Sequence, residues 1–256
     1  MPDEIADGIT MLRRYGQYRT ACWVLQNNGE AAVVEMPPFL GGEKPPFEKA
    51  ATFLKKNRLH LKYAFISHPH WDHCHTLPWF RDRFPQTIFV GHESFMLDSY
   101  FRFMIRNVRI VRADGYVMGG NSIFDVMLED DFWAGDIGGE PIYVIHAPKH
   151  SYSDLLIVFK GAMITGDWFI GDLKDCNALV RSADKVRSIN RAMEIIGSLG
   201  YNVHMLFSAH GDCLFYDADF FSVMEQSKVN HRGSHPNIKA TYVPGGRKRR
   251  RSNARR

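Results

Sequence analysis

No two of the four cysteines, Cys22, Cys74, Cys176 and Cys213, stand in a CxxC arrangement. Neither a thioredoxin-like site nor a zinc knuckle is therefore indicated. The apolar run Leu155–Phe159 is only a strand's length, far below the roughly 20 residues of a membrane-spanning helix. The first residues, MPDEIADGITMLRRYG, lack the apolar core of a secretory signal. No GxSxG occurs, which argues against a serine hydrolase of the nucleophile-elbow kind. A soluble, cytoplasmic protein with reduced thiols is the expectation.

The body also lacks a net positive charge. Of 32 Lys and Arg against 28 Asp and Glu, seven basic residues and no acid fall in the last ten positions, Arg247 to Arg256. The remainder holds 25 basic and 28 acidic groups, a net of −3. A domain that binds long nucleic acid usually carries a basic face, so no stable nucleic-acid complex is expected of the body. The Arg-rich end reads as a disordered, solubilising tail over 231–256, able at most to attract polyanions weakly. With 45% apolar and 23% charged residues, the rest is an ordinary globular chain, expected to form a single domain over 1–230.

Strand and helix signals alternate along that body. Tyr18–Leu25 and Ala31–Glu35 flank an Asn27-Asn28-Gly29 turn, a hairpin signal. Strands are expected at Lys62–Ser67, Thr87–Val90, Ala162–Thr165 and Val203–Ser208, and several short ones between Val108 and Phe159, with turns at Gly119-Gly120 and Gly138-Gly139. Helices are expected at Glu48–Asn57, Thr76–Phe84, Glu93–Ile105, Arg181–Leu199 and Asp217–Asn230. Phe53 and Leu54 fall on the inner face of the first, and Lys185 and Val186 on that of the fourth. The interleaving points to the α/β class.

The densest chemistry is Ser67-His68-Pro69-His70-Trp71-Asp72-His73. Core packing gives no reason for three histidines and an aspartate in six positions directly after an apolar strand. Imidazole and carboxylate suit zinc, iron or manganese. In extended chain His68 and His70 face the same way, while Asp72 and His73 follow from the next turn. One loop can thus serve two metals. His150, Asp167 and His210 each follow a strand beside a small or turn-forming residue and complete a ligand set. Each alone has a bland reading, such as a helix cap for Asp167 or a turn hydrogen bond for His210; the set does not.

In these residues the chain resembles the metallo-β-lactamase fold superfamily. The HxHxDH motif is complete at 68–73, the third histidine matches His150, the Gly-Asp aspartate matches Asp167, and the last histidine matches His210. The ordered match runs from 18 to about 225. The resemblance implies a four-layered αββα sandwich, with His68, His70 and His150 on one metal, Asp72, His73 and His210 on a second, and Asp167 between them. It implies two divalent ions, zinc foremost with iron or manganese as alternatives, sharing a hydroxide whose pKa falls to about 7. The leading activity is hydrolysis of a small ester, thioester, lactone or amide, with Asp72 handling the proton. A phosphodiesterase or nuclease, a mononuclear iron dioxygenase using His68, His150 and Asp167, and a non-catalytic metal-binding protein are the alternatives. Cys74-His75-Thr76, Lys149 and Ser151-Tyr152-Ser153-Asp154 depart from the family's usual small residues. Tyr152 is the candidate oxyanion donor. Trp71, His75, Trp168, Phe169 and Lys174 are further candidates for substrate contact, with packing as the alternative for the aromatic residues. His146 is expected in a supporting role.

Overall fold

The computed structural model describes residues 2–107, 110–111, 117–118, 123–168, 180–210, 214–228 and 241–242. Phe169, Lys174, the Gly119-Gly120 turn and nearly all of the Arg-rich tail lie outside the described residues, as does the expected domain boundary at 230.

The first sheet joins β1 (Asp3–Ala6), β2 (Ile9–Tyr15), β3 (Thr20–Asn27), β4 (Glu30–Val34), β5 (His60–Phe65), β6 (Ile88–His92) and β9 (Val126–Leu128) in that order. The second joins β10 (Phe132–Ile137), β11 (Glu140–His146), β12 (Leu155–Phe159), β13 (Ala162–Ile164), β14 (Met205–Phe207), β15 (Leu214–Tyr216) and β16 (Thr241–Tyr242). A separate two-stranded ribbon pairs β7 (Ile110–Val111) with β8 (Val117–Met118). The helices are α1 (Pro46–Asn57), α2 (Trp71–Cys74), α3 (Leu77–Arg83), α4 (Ser99–Asn107), α5 (Ser182–Leu199) and α6 (Phe220–Ser227).

The layering can be read from the strand period of two. In β12, Leu155, Ile157 and Phe159 join the core between the sheets, whereas Leu156 and Val158 join the core beneath α5 and α6. Ile164 and Met163 divide in the same way, as do Phe207 and Leu206. These strands are therefore apolar on both faces and carry no polar–apolar alternation. Trp23 of the first sheet stacks on Phe207 of the second at 5.8 Å, and Tyr63 meets Trp133 edge-on at 5.3 Å. The fold is α/β, the four-layered αββα sandwich.

The Asn28-Gly29 turn has positive φ at both residues, +42° and +84°, as the expected hairpin requires. The β1–β2 hairpin carries no clean alternation in sequence; its register shifts between Glu4 and Ala6, and that of β2 with β3 between Met11 and Arg13. The helix expected over 93–105 is interrupted. A 3-10 turn spans Glu93–Leu97, and Asp98 then accepts the Phe101 N–H at 2.7 Å to start α4. Helix α6 is shorter than expected because Asp219 caps it, accepting the Ser222 N–H at 3.1 Å. Phe53 is only partly buried; Pro46, Ala50 and Leu54 form the inner stripe of α1.

Candidate metal centre

Strands β4 and β5 are parallel neighbours in one sheet, and β13 and β14 in the other. Their carboxyl ends meet at one edge of the sandwich. From there Glu35 follows β4, Ser67 to His73 follow β5, Asp167 follows β13 and His210 follows β14. The β11–β12 loop adds His150. Backbone bonds tie these segments together: Leu155 N–H donates to Ser67 O at 2.7 Å, and Ala209 N–H to Gly166 O at 2.9 Å. Gly166 has φ +55°, and a Cβ there would lie 2.6 Å from Ser67 Oγ. Only glycine brings Asp167 this close to the histidine loop.

All seven expected ligands converge, in two sets. His68 Nε2 lies 2.9 Å from His70 Nδ1, which lies 3.2 Å from His150 Nε2. Asp72 Oδ2 lies 3.4 Å from His73 Nε2 and 2.9 Å from His210 Nε2. Asp167 divides its carboxylate between them. Oδ2 is 3.8 Å from His68 Nε2 and 3.4 Å from His150 Nε2, while Oδ1 is 3.2 Å from both His73 Nε2 and His210 Nε2. A tetrahedral ion with bonds of about 2.1 Å separates its ligand atoms by roughly 3.4 Å. The observed spacings bracket that value. Buried His73 Nε2 and Asp167 Oδ1 face each other at 3.2 Å without hydrogen-bond geometry, an arrangement that a cation between them would satisfy. The residues fit a metal centre: His68, His70 and His150, or His68, His73 and Asp167, or Asp72, His73 and His210 could each hold an ion.

Supporting groups orient the rings from behind, as metal-binding histidines require. Ser67 Oγ lies 3.0 Å from His68 Nδ1, and His210 Nδ1 lies 2.9 Å from the Tyr18 carbonyl. Glu35 Oε1 is 3.2 Å from His73 Nδ1, and its other oxygen accepts the Ser67 N–H at 3.2 Å. Glu35 is fully buried with φ +68°, a strained conformation held by its N–H on the Phe65 carbonyl at 3.0 Å and by its carboxylate contacts to Ser67 and His73. Thr20 donates to Asp72 Oδ2 at 3.1 Å. Asp154 organises the loop before it: its carboxylate accepts the N–H groups of Lys149, His150 and Ser151, the Ser151 hydroxyl and the Trp168 indole N–H.

The electrostatics separate the sets. Burial and the neighbouring His73, His70 and His150 hold His68 well below the usual histidine range, so it presents a neutral ring. Burial opposes charge on His73 and His210, but the carboxylates outweigh it. Asp72, Asp167 and Glu35 lift His73 well above the usual value, and Asp167 and Asp72 push His210 up to about 9. Asp72 and Asp167 are in turn held well below the carboxylate range, against burial, by His73 and His210.

The other candidates divide. Trp71, His75 and Trp79 succeed one another at helical spacing, with ring centroids 5.3 and 5.6 Å apart, and Tyr18 meets Trp71 at 6.3 Å. His75 Nδ1 lies 3.1 Å from the Tyr100 hydroxyl. Trp168 is buried, with its indole N–H on Asp154. The Tyr152 hydroxyl donates to Asp184 at 3.1 Å and accepts the Arg181 N–H; oxyanion donation would require it to leave Asp184. His146 bonds Asp131 and the Tyr152 carbonyl and stacks on His92. Cys74 is buried with its thiol on the Pro69 carbonyl. Glu35, Thr20 and Asp154 escape a sequence reading. Asp154, part of a departure from the family pattern, offered the one available signal: a polar residue immediately before a fully apolar strand.

Comparison with known proteins agrees with this geometry. The model of the metallo-beta-lactamase superfamily matches residues 15–202. No curated protein matches the chain. Among solved structures, the DIM-1 metallo-beta-lactamase is similar over 89% of this chain and 94% of its own, with TM-score 0.60 at 12% identity. The BLEG-1 B3 metallo-beta-lactamase is similar over 79% of this chain and 91% of its own, with TM-score 0.51 at 19% identity. ETHE1 from Myxococcus xanthus is similar over 77% and 74%, with TM-score 0.51 at 15% identity. At these identities the structural likeness speaks for the fold, and the family match carries the assignment: the chain belongs to the metallo-beta-lactamase superfamily.

Proposed function

We propose that the protein is a dinuclear metal-dependent hydrolase of small esters, thioesters, lactones or amides. The observation that carries this reading is the division of Asp167, one oxygen toward each histidine set. A one-metal centre gives His73 and His210 no shared purpose. His68, His70 and His150 would hold one ion, Asp72, His73 and His210 the other, and Asp167 both. Divalent ions at such a site supply Lewis acidity and lower the pKa of coordinated water.

The remaining work falls to the chain. Asp72 is ionised at neutral pH and fixed by Thr20 and His210 through Oδ2, leaving Oδ1 to orient the attacking water and take up its proton. Glu35 and Ser67 hold the histidine rings so that no reorganisation is needed at the moment of reaction. The aromatic edge of Tyr18, Trp71 and Trp79, of which Tyr18 and Trp79 are 56% and 48% exposed, offers an apolar or ring-bearing acyl group a surface beside Asp72.

The test is a screen of ester, thioester, lactone, amide and phosphodiester reporters with metal-loaded protein. Turnover on an acyl reporter, abolished by His150→Ala and Asp167→Ala, is expected. Turnover confined to the phosphodiester, or none at full metal occupancy, would overturn the reading.

A further inference from the structure

A pocket lies away from the metal ligands, on the flank of α1. Its volume is about 450 Å3, and its lining includes Pro2, Arg13, Lys44, Lys49, Phe53 and Lys56, within the range of small-molecule sites. Four of the lining side chains are cationic and none is acidic. The protein body is net acidic, so this concentration does not follow from composition. Lys49, Phe53 and Lys56 share one face of α1 by their spacing, next to the stripe that packs inward.

Little of this charge is compensated from within. Arg13 pairs with Glu43 at 3.2 Å, and Lys44 donates to Thr52 at 2.6 Å, a neutral partner. Lys49 and Lys56 make no ion pair among the described residues. Lys49 is half-buried; burial and Arg13 make its charge costlier than Cys22, Asp3 and Glu43 restore. Lys49 sits partly desolvated beside Arg13, with Lys44 and Lys56 exposed at the rim, and an anion entering the pocket relieves the repulsion among these like charges. Phe53 and Pro2 add an apolar wall, too much surface for a bare inorganic ion.

We infer that this pocket is a binding site for a phosphorylated organic anion of nucleotide size, its phosphates among Arg13, Lys44, Lys49 and Lys56 and its planar or apolar body against Phe53. The site is separate from the metal centre, and its test does not depend on the proposed hydrolysis.

Calorimetric titration of the full-length, metal-loaded protein with ADP, pyrophosphate and adenosine decides the matter. ADP should bind at one saturable site, pyrophosphate more weakly, and adenosine at least about tenfold more weakly than ADP, since the phosphates carry the attraction. Lys49→Met with Lys56→Met should weaken ADP at least about tenfold, while His150→Ala leaves it within about twofold. Should the double variant fold poorly, Lys56→Met alone, at an exposed position, should still cost about threefold, and Phe53→Leu should weaken ADP but not pyrophosphate. Absence of saturable ADP binding, equal binding of adenosine, or ADP affinity indifferent to the lysines would overturn the inference. In the last case the metal centre or the Arg-rich end would hold the nucleotide.

Discussion

Asp154 is a buried carboxylate serving five donors at once: the N–H groups of Lys149 at 2.9 Å, His150 at 2.6 Å and Ser151 at 3.0 Å, the Ser151 hydroxyl at 2.6 Å and the Trp168 indole at 3.2 Å. Asp154→Ala leaves these donors without an acceptor in a loop that cannot turn all of them to water. A hydrogen bond to a charged group is worth about 1.5–3 kcal/mol, and an unsatisfied buried donor costs about 1–3 kcal/mol. The sum is not realised, because water and loop movement recover part of it; a net loss of about 3–5 kcal/mol is expected. In a chain of this size that lowers the melting temperature by roughly 10 °C. His150 loses its backbone anchor, so the ion it would hold should bind about 10–100-fold more weakly, while the ion of Asp72, His73 and His210 is little affected. Asp154→Asn keeps the shape and one acceptor but turns an amide N–H toward the loop donors, and should fall between. Thermal melts of metal-free and metal-loaded protein, with a chelator competition titration, measure both effects. A melting temperature lowered by less than about 2 °C, with both metal affinities unchanged, would refute this account of the loop.

Three further outcomes follow from the geometry. Asp72→Asn, with occupancy measured on the same sample, should lower turnover far more than substrate affinity. The expected loss is about 3–5 kcal/mol in transition-state stabilisation, which initial-rate kinetics report. Tyr152→Phe should leave both ions bound; a turnover loss of roughly 2–4 kcal/mol would show that the hydroxyl leaves Asp184 to act as an oxyanion donor, and near-normal kcat would confine it to holding the start of α5. His92, buried and stacked on His146, has a pKa lowered to about 4 by burial and by His146. The unfolded chain therefore binds a proton first, and stability should decline as pH falls from about 6.5 to 4, by up to about 3 kcal/mol. Denaturant titrations across that range should show the decline for the native chain and a shallower one for His92→Gln.

The convergence of these side chains was legible in sequence because metal chemistry restricts residue type at each position and strand ends announce where the chain turns. His68, His70, Asp72, His73, His150, Asp167 and His210 all come together. The groups that brace them were not legible. Glu35 reads as the polar end of a strand, yet it reaches His73 and Ser67 more than 30 residues away. Thr20 reads as strand filler, yet it lies 52 residues from its partner Asp72. Such roles depend on which strand ends the sandwich brings side by side. For the same reason Tyr152, adjacent in sequence to the centre, turns out to bond Asp184 of α5. The β1–β2 hairpin is hard to read because its register shifts between Glu4 and Ala6 and that of β2–β3 between Met11 and Arg13, and the break at Asp98 is hidden among Phe95, Tyr100, Phe101 and Phe103, an aromatic run at helical spacing.

The central claim is that Asp167 lies between two ions. X-ray absorption spectroscopy of the zinc-loaded protein, with elemental analysis of the same sample, tests it most directly. The account predicts two ions per chain, nitrogen and oxygen ligands only, and a metal–metal distance of about 3.5–4 Å that disappears in Asp167→Ala. One ion per chain in the presence of excess zinc, with no metal–metal scattering, would contradict it.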